Sequence, residues 1–248
     1  MTMSITNNKF EKVVSENKVK NLLSIHKSYY EKIIRKILLK KKFINRRNIF
    51  IKNKFKLINL SDNEKKIITG HFPLKFRLKI FRKLITEKKL INTLKKILKT
   101  KNIYIYIPTM SRYALPNCKL SLTPWHDDSS YTPQFKKFIT VWIPLIPINK
   151  KIGGICFLND TQTKAKNETK DKEVFFSQYK LSKKPSIRHY ECNVGDALIF
   201  NNKTVHKSLL NKSKIIRYSI DFRVSSSKAD NKHCYSVKEK KIILPDNK

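Results

Sequence analysis

No apolar run in this 248-residue chain approaches the roughly 18 residues that a membrane span needs; the longest that matters is VWIPLIPI, residues 141–148. The start, MTMSITNNKFEK, lacks the apolar segment of a signal peptide, so none is expected. The four cysteines, at 118, 156, 192 and 234, are scattered and form no CxxC pair. That spacing argues against a zinc finger and a disulfide frame, and for reduced thiols in a cytoplasmic protein. There is no internal repeat. Acidic residues are scarce: 18 against 55 basic ones, a formal net charge of +37. The first hundred residues alone carry 28 basic and 6 acidic side chains. So large an excess is compatible with a nucleic-acid or anionic-surface partner. The lysines are nevertheless spread almost evenly, in a chain saturated with Lys, Ile and Asn. Scattered charge lacks the clustering of a binding footprint, and it reads as compositional bias. Nucleic acid is therefore not the expected partner, although the charge keeps it open.

Hydrophobic residues make up 40% of the chain and aromatic residues 10%, enough to build a substantial core. Residues 1–100 read as a helical region. Between Phe10 and Phe43, Leu22, Leu23, Ile25, Tyr29, Tyr30, Ile33, Ile34, Ile37 and Leu38 recur at helical intervals among lysines. SDNE, residues 61–64, has the form of a capping box, and Gly70 stands where a C-terminal cap would be. Residues 74–99 continue with a stripe of Phe76, Ile80, Phe81, Leu84, Leu90, Leu94 and Leu98.

Near residue 102 the period changes. NIYIYIP alternates as a strand does, and prolines follow at 108, 116 and 124. Further strands are expected at 119–123, 138–145, 154–158, 187–192, 197–200 and 217–224. Many short strands without intervening helices predict an antiparallel sandwich or barrel over residues 101–225. The long polar stretch 159–185 is expected to be a lid-like loop. Residues 226–248 are expected to form a peripheral tail.

The chemistry begins in TPWHDDSS, residues 123–130. On a strand, residues i and i+2 share a face, so His126 and Asp128 can converge on one metal while Asp127 points away. His206, in GDALIFNNKTVHKSLLN, supplies a distant third ligand. Two histidines and one carboxylate form the facial triad of non-haem Fe(II) oxygenases. Three protein ligands leave room for a bidentate 2-oxo acid and for O2, which a closed tetrahedral zinc site would not. Eleven residues beyond His206, Arg217 opens RYSIDFRV, in which Arg217, Ser219, Asp221 and Arg223 share one strand face. A guanidinium beside a hydroxyl suits a carboxylate, because Arg presents two parallel donors. Only nine of the 55 basic residues are arginine, so two on one face are informative. Arg217, Ser219 and Arg223 are accordingly cofactor-binding candidates. Ion pairing of the arginines with Asp221 is the structural alternative.

From about Lys88 to Val224 the chain resembles the phytanoyl-CoA dioxygenase family. The resemblance is carried by TPWHDD, FITVWIPL, GDALIF and HKSLLNKSKIIRYSIDFRV, and by the roughly 80-residue interval between the two histidines. It implies a double-stranded β-helix, that is a jelly roll of cupin-like form, with an outer helical layer. It implies an Fe(II)- and 2-oxoglutarate-dependent dioxygenase in which His126, Asp128 and His206 hold iron and Arg217 holds the far carboxylate of 2-oxoglutarate. It also suggests that Trp142 lines the cosubstrate pocket, a position a core aromatic would equally fill. The family's PGSH-like turn is replaced here by LNDTQT, residues 158–163, and no CoA-binding element is visible. The substrate class therefore does not carry over, and a small polar metabolite of a biosynthetic pathway is expected. RYSIDFR is also similar to the arginine strand of the alkylation-repair dioxygenases, in which both arginines contact 2-oxoglutarate, so a nucleic-acid demethylase is the main rival. A basic jelly roll without chemistry is the other. His26, His71, His189 and His233 match no motif and read as ordinary surface or core histidines.

Overall fold

The computed structural model describes residues 8–46, 60–68, 72–107, 109–119, 122–130, 137–159, 166–168, 178–180, 186–228 and 233–243. A short strand, β1 (Asn8–Phe10), precedes α1 (Glu16–Tyr29), a π-turn (Tyr30–Ile34) and α2 (Arg35–Lys40). Then come α3 (Asp62–Ile68), α4 (Leu74–Leu84) and α5 (Lys88–Ile97). The strands follow: β2 (Tyr104–Tyr106), β3 (Met110–Ala114), β4 (Ile139–Pro144), β5 (Gly154–Leu158), β6 (Lys166–Glu168) and β7 (Gln178–Lys180). The last are β8 (Ile187–His189), β9 (Ala197–Asn201), β10 (His206–Leu209), β11 (Arg217–Ser225), β12 (Cys234–Ser236) and β13 (Lys241–Ile243). No helix among the described residues is long and apolar enough to cross a membrane.

The first helical run has a local explanation. Leu22, His26, Tyr30, Ile34 and Leu38 are all buried and stand four residues apart. At 3.6 residues per turn that spacing drifts around the helix by about 40° per step. The wide π-turn in the middle takes up part of the drift and keeps the five side chains on the sheet. Ile33, counted in the apolar stripe, falls off this line and is 38% exposed. The expected capping box is present: Ser61 N donates to Glu64 Oε2 at 2.8 Å and Glu64 N to Ser61 Oγ at 3.3 Å. Gly70 lies outside the described residues.

The strands form two main antiparallel sheets. The larger runs β1-β9-β4-β11-β2-β12-β13, with β3 also paired to β11; the smaller runs β10-β5-β8. β11 is the axis. It pairs with β4 along one edge, and with β3 and then β2 along the other. Its alternation sorts two environments. Tyr218, Ile220, Phe222 and Val224 enter the core beneath the helices, with Val141, Ile143 and Ile199. A second core, between the two sheets, holds Trp142, Ile155, Phe157, Leu198 and Phe200. This is a double-stranded β-helix with helices on the outer face of one sheet. Among the described residues its sheets do not close into a barrel.

Several expectations change. Residues 119–123 are not a strand in their described part. Asn117 takes a left-handed conformation (φ 51°), and Leu122 N bonds Lys119 O in a turn. β3, between Pro108 and Pro116, was not expected. β1, which opens the helical region, pairs with β9 of the larger sheet. Its seat depends on Gly195, whose φ is 93° and where a Cβ would lie 2.5 Å from Val14 O. Asp196 Oδ1 then accepts Lys12 N at 3.0 Å. The segment expected as a peripheral tail carries β12 and β13 at the edge of the larger sheet, with Cys234 and Ser236 buried. Of stretch 159–185, only β6 and β7, which pair with each other, and Asn159 lie among the described residues.

His26 fastens the helical layer to the sheet. It is fully buried; its Nδ1 donates to Leu22 O at 2.7 Å, and its Nε2 accepts the Ser111 hydroxyl of β3 at 3.0 Å. Burial pushes its pKa down to about 4, with the Leu22 carbonyl opposing. In the unfolded chain the ring titrates near 6.5, so between pH 6.5 and 4 the unfolded state binds a proton that the folded state refuses. Stability is full above pH 6.5. It should fall by ~3 kcal/mol as pH drops through that window. Chemical denaturation of wild type and His26→Gln at pH 7.5 and 4.5 checks this: the slope should be shallower in the variant.

Candidate metal centre

His126 and His206, 80 residues apart, meet across an isolated antiparallel bridge. Their backbones exchange hydrogen bonds of 2.9 and 2.8 Å. His126 Nδ1 lies 2.7 Å from Pro124 O, and His206 Nδ1 lies 2.9 Å from Thr204 O. A carbonyl only accepts, so both Nδ1 atoms carry the proton. That fixes both tautomers and leaves each Nε2 with a lone pair, as a metal-binding histidine requires. Burial, and then the neighbouring His206, push the His126 pKa down to about 3, so this ring is neutral. Phe200 packs edge-on against His206 at 4.7 Å between centroids.

Asp128 completes the group. Ligand atoms of His126, Asp128 and His206 all lie within 4.8 Å of one another, and all three residues are buried. The strand argument selects this aspartate, but the local structure differs from a strand. After the bridge at His126 the chain enters a 3-10 turn, Asp128–Ser130. Asp127 caps that turn: its Oδ1 accepts Ser129 N at 2.9 Å and also the Ser129 hydroxyl. The turn swings Asp128 toward the two imidazoles. Burial would raise the Asp128 pKa, but Arg223, with His206 and His126, outweighs it and holds the carboxyl below the ordinary carboxylate range.

The three residues line a cleft between the sheets of about 520 Å3, counting its open mouth. Arg112, Thr123, Thr140, Trp142, Ser208, Arg217, Asp221 and Arg223 contribute to the same wall. The two arginines of β11 behave differently. Arg223 Nη2 bonds Asp128 Oδ1 at 3.0 Å, and its Nη1 bonds Asp221. Arg112 Nε adds a 3.1 Å pair to the other oxygen of Asp221. Arg223 is thus engaged by two carboxylates, the ion pairing that the sequence offered as the alternative to cofactor binding, while its Nε is buried without a partner. Arg217 is 3% exposed and forms no ion pair among the described residues. Its Nη1 donates to Gly154 O at 3.1 Å, and its Nε is buried without a partner. Burial, then Arg112, lower its pKa to about 10. The Ser219 hydroxyl is likewise buried and unpartnered, although it is not part of the cleft wall. Trp142 is both on the wall of this cleft and in the core between the sheets. Gly154, at φ 117°, takes a backbone conformation that side chains disfavour and turns its carbonyl to Arg217.

Sequence reasoning missed Arg112 and Thr140. Thr140 sits two residues before Trp142, inside the recognised FITVWIPL segment, and alternation alone would have placed it on the same face. Arg112 lies in the unrecognised strand β3. His71 lies outside the described residues, and His233 is exposed. His189 Nε2 donates to Gly153 O at 2.8 Å, away from the cleft.

The donor set fits a metal with open positions: two imidazoles, each with Nε2 available, and one ionised carboxylate on one side of a polar cleft. A second, anionic ligand fits beside them, where a buried guanidinium has no counter-charge among the described residues. Residues 77–219, more than half of the chain, match the phytanoyl-CoA dioxygenase (PhyH) family, and the chain belongs to that family. The match contains all three clustered residues and Arg217. Among curated proteins, 1-deoxypentalenic acid 11-beta-hydroxylase of Streptomyces exfoliatus is 30% identical over 131 residues, covering 48% of this chain and 45% of the relative. Its namesake from Streptomyces arenae is 29% identical over the same shares. The chain thus spans about half the length of the curated relatives it matches. Solved structures agree on the fold. A non-heme monooxygenase, ThoJ, superposes with a TM-score of 0.58 at 10% identity, covering 94% of this chain and 80% of that one. EvdO2 from Micromonospora carbonacea var. aurantiaca superposes at 0.56 with 15% identity, covering 91% and 89%.

Proposed function

We propose that this chain is an Fe(II)- and 2-oxoglutarate-dependent dioxygenase that hydroxylates a small polar metabolite, an organic acid being the class its curated relatives' names suggest. The observation that carries the proposal is the pairing of two features in one cleft. His126, Asp128 and His206 offer a three-donor face, and Arg217 offers an uncompensated buried cation. In this reading the triad holds Fe(II), and Arg217 binds the far carboxylate of 2-oxoglutarate. Iron with 2-oxoglutarate supplies the activation of O2 and the oxidation of a C–H bond. The protein contributes placement. Pro124 O and Thr204 O keep both imidazoles in the ligating tautomer. Trp142, Ile155 and Phe200 exclude water from the inner wall, where a charged hydrogen bond to Arg217 is strongest. A cytoplasmic location is proposed with it, from the scattered spacing of the four cysteines.

The test is succinate release by the iron-loaded protein across a panel of small organic acids and other polar metabolites, with methylated single-stranded DNA and RNA included. At least one metabolite should stimulate succinate output well above the uncoupled rate. Oligonucleotides should bind in a steeply salt-dependent way and leave the output unchanged. Stimulation by a methylated oligonucleotide, with formaldehyde formed, would move the assignment to a demethylase. Neither stimulation nor iron binding would leave a non-catalytic jelly roll.

A further inference from the structure

The two oxygens of Asp128 are held by two different residues. Oδ1, which faces His126 Nε2 at 3.9 Å, accepts Arg223 Nη2 at 3.0 Å. Oδ2 accepts the hydroxyl of Thr140 on β4. Thr140 is 2% exposed and Asp128 1% exposed, so no solvent competes for these bonds. Arg223 is itself held by Asp221, which Arg112 engages from the other side. The register explains the convergence. Asp221 pairs with Trp142 and Arg223 with Thr140 across β11 and β4, so Thr140 and Arg223 are directly opposite neighbours on the cleft face.

We infer that Thr140 and Arg223 are positioning residues that clamp Asp128 as a single-oxygen metal ligand. The hydroxyl engages Oδ2 and turns it from the metal, while Arg223 fixes the plane of the carboxylate so that Oδ1 is the atom presented. The consequence reaches beyond affinity. A carboxylate free to rotate could chelate through both oxygens and fill a position that a bidentate 2-oxo acid needs. The clamp keeps that position open. Asp221 and Arg112 support it by holding Arg223 in one rotamer. The inference rests on the metal-site reading above and assigns a role to residues outside the ligand set.

Cobalt(II) is a suitable probe because its visible spectrum reports coordination and it performs no turnover. Full-length wild type, Thr140→Val, Thr140→Ser and Arg223→Lys would be titrated with cobalt(II), then with 2-oxoglutarate, under nitrogen. Lysine is chosen at 223 because it keeps the charge and removes the fork. Thr140→Val and Arg223→Lys should bind cobalt(II) ~10–100-fold more weakly. Their cobalt spectra should differ from wild type, and their response to 2-oxoglutarate should be diminished. Thr140→Ser, which restores the hydroxyl, should return all three to wild type; a merely structural role for Thr140 would alter folding without this spectroscopic rescue. If Thr140→Val fails to fold, Arg223→Lys with Thr140→Ser carries the test. Wild-type affinity and an unchanged spectrum in the two disruptive variants would overturn the clamp while leaving the metal site intact. No cobalt binding by wild type would overturn the metal-site reading and the clamp with it.

Discussion

Asp128→Ala should abolish stoichiometric Fe(II) binding, whereas Asp127→Ala should retain most of it. The two carboxylates are adjacent and both buried, so neither exposure nor position in the chain separates them. Their partners do. Asp128 lies with the two imidazoles inside the 4.8 Å cluster. Removing it leaves two neutral ligands and no negative charge to offset a divalent cation, and Arg223 then faces the site without its Asp128 counter-charge. Asp127 instead accepts Ser129 N and the Ser129 hydroxyl at the start of the 3-10 turn. Its loss should cost about 1 kcal/mol of stability, as the loss of a cap does. It should loosen the turn that aims Asp128, weakening metal binding several-fold at most. Anaerobic Fe(II) titration with thermal unfolding checks both. Equal loss of iron in the two variants would show that the turn does not sort the aspartates as described.

The second large effect is expected at Arg217, where binding and stability should move in opposite directions. A buried guanidinium with no counter-charge among the described residues destabilises the ligand-free fold, because one carbonyl bond there offsets little of its desolvation. Arg217→Met, similar in length and apolar, should therefore raise the stability of the ligand-free protein by about 1–2 kcal/mol, or roughly 2–8 °C in Tm for a chain of this size. It should also weaken 2-oxoglutarate binding to the metal-loaded protein on the order of 100-fold or more, the effect of removing one partner of a buried charge pair. Arg217→Lys keeps the charge and loses the fork, and it should fall between the two in affinity. Calorimetric titration at saturating metal, with melting curves of the ligand-free forms, separates the effects. A larger loss of 2-oxoglutarate affinity in Arg223→Lys than in Arg217→Lys would mean that the wrong arginine has been assigned.

Much of this molecule is local in origin. The capping box at Ser61–Glu64, the apolar spacing at 22, 26, 30, 34 and 38, and the alternation of RYSIDFRV follow from neighbours a few residues apart. The sequence alone accordingly determined the change from helices to strands near residue 102. It also put forward His126, Asp128 and His206 as metal candidates, with Arg217, Ser219, Trp142 and Arg223 as cofactor candidates, and it preferred Asp128 to Asp127 by a strand period. Alternation says which face a side chain takes. It does not say what stands across the sheet. Arg217 and Arg223 share a face and a chemistry; only the pairing of β11 with β4 and β3 places Thr140 and Arg112 nearby and sets Asp128 beside one arginine. That long-range register decided that Arg223 is neutralised while Arg217 is left as a buried cation. The same holds for the meeting of His126 with His206, 80 residues further along the chain, and for Asp128, whose aim comes from a 3-10 turn that a two-residue period cannot describe. Electrostatic partners are a property of assembled neighbours, so the division of labour between two like residues on one strand belongs to the tertiary structure.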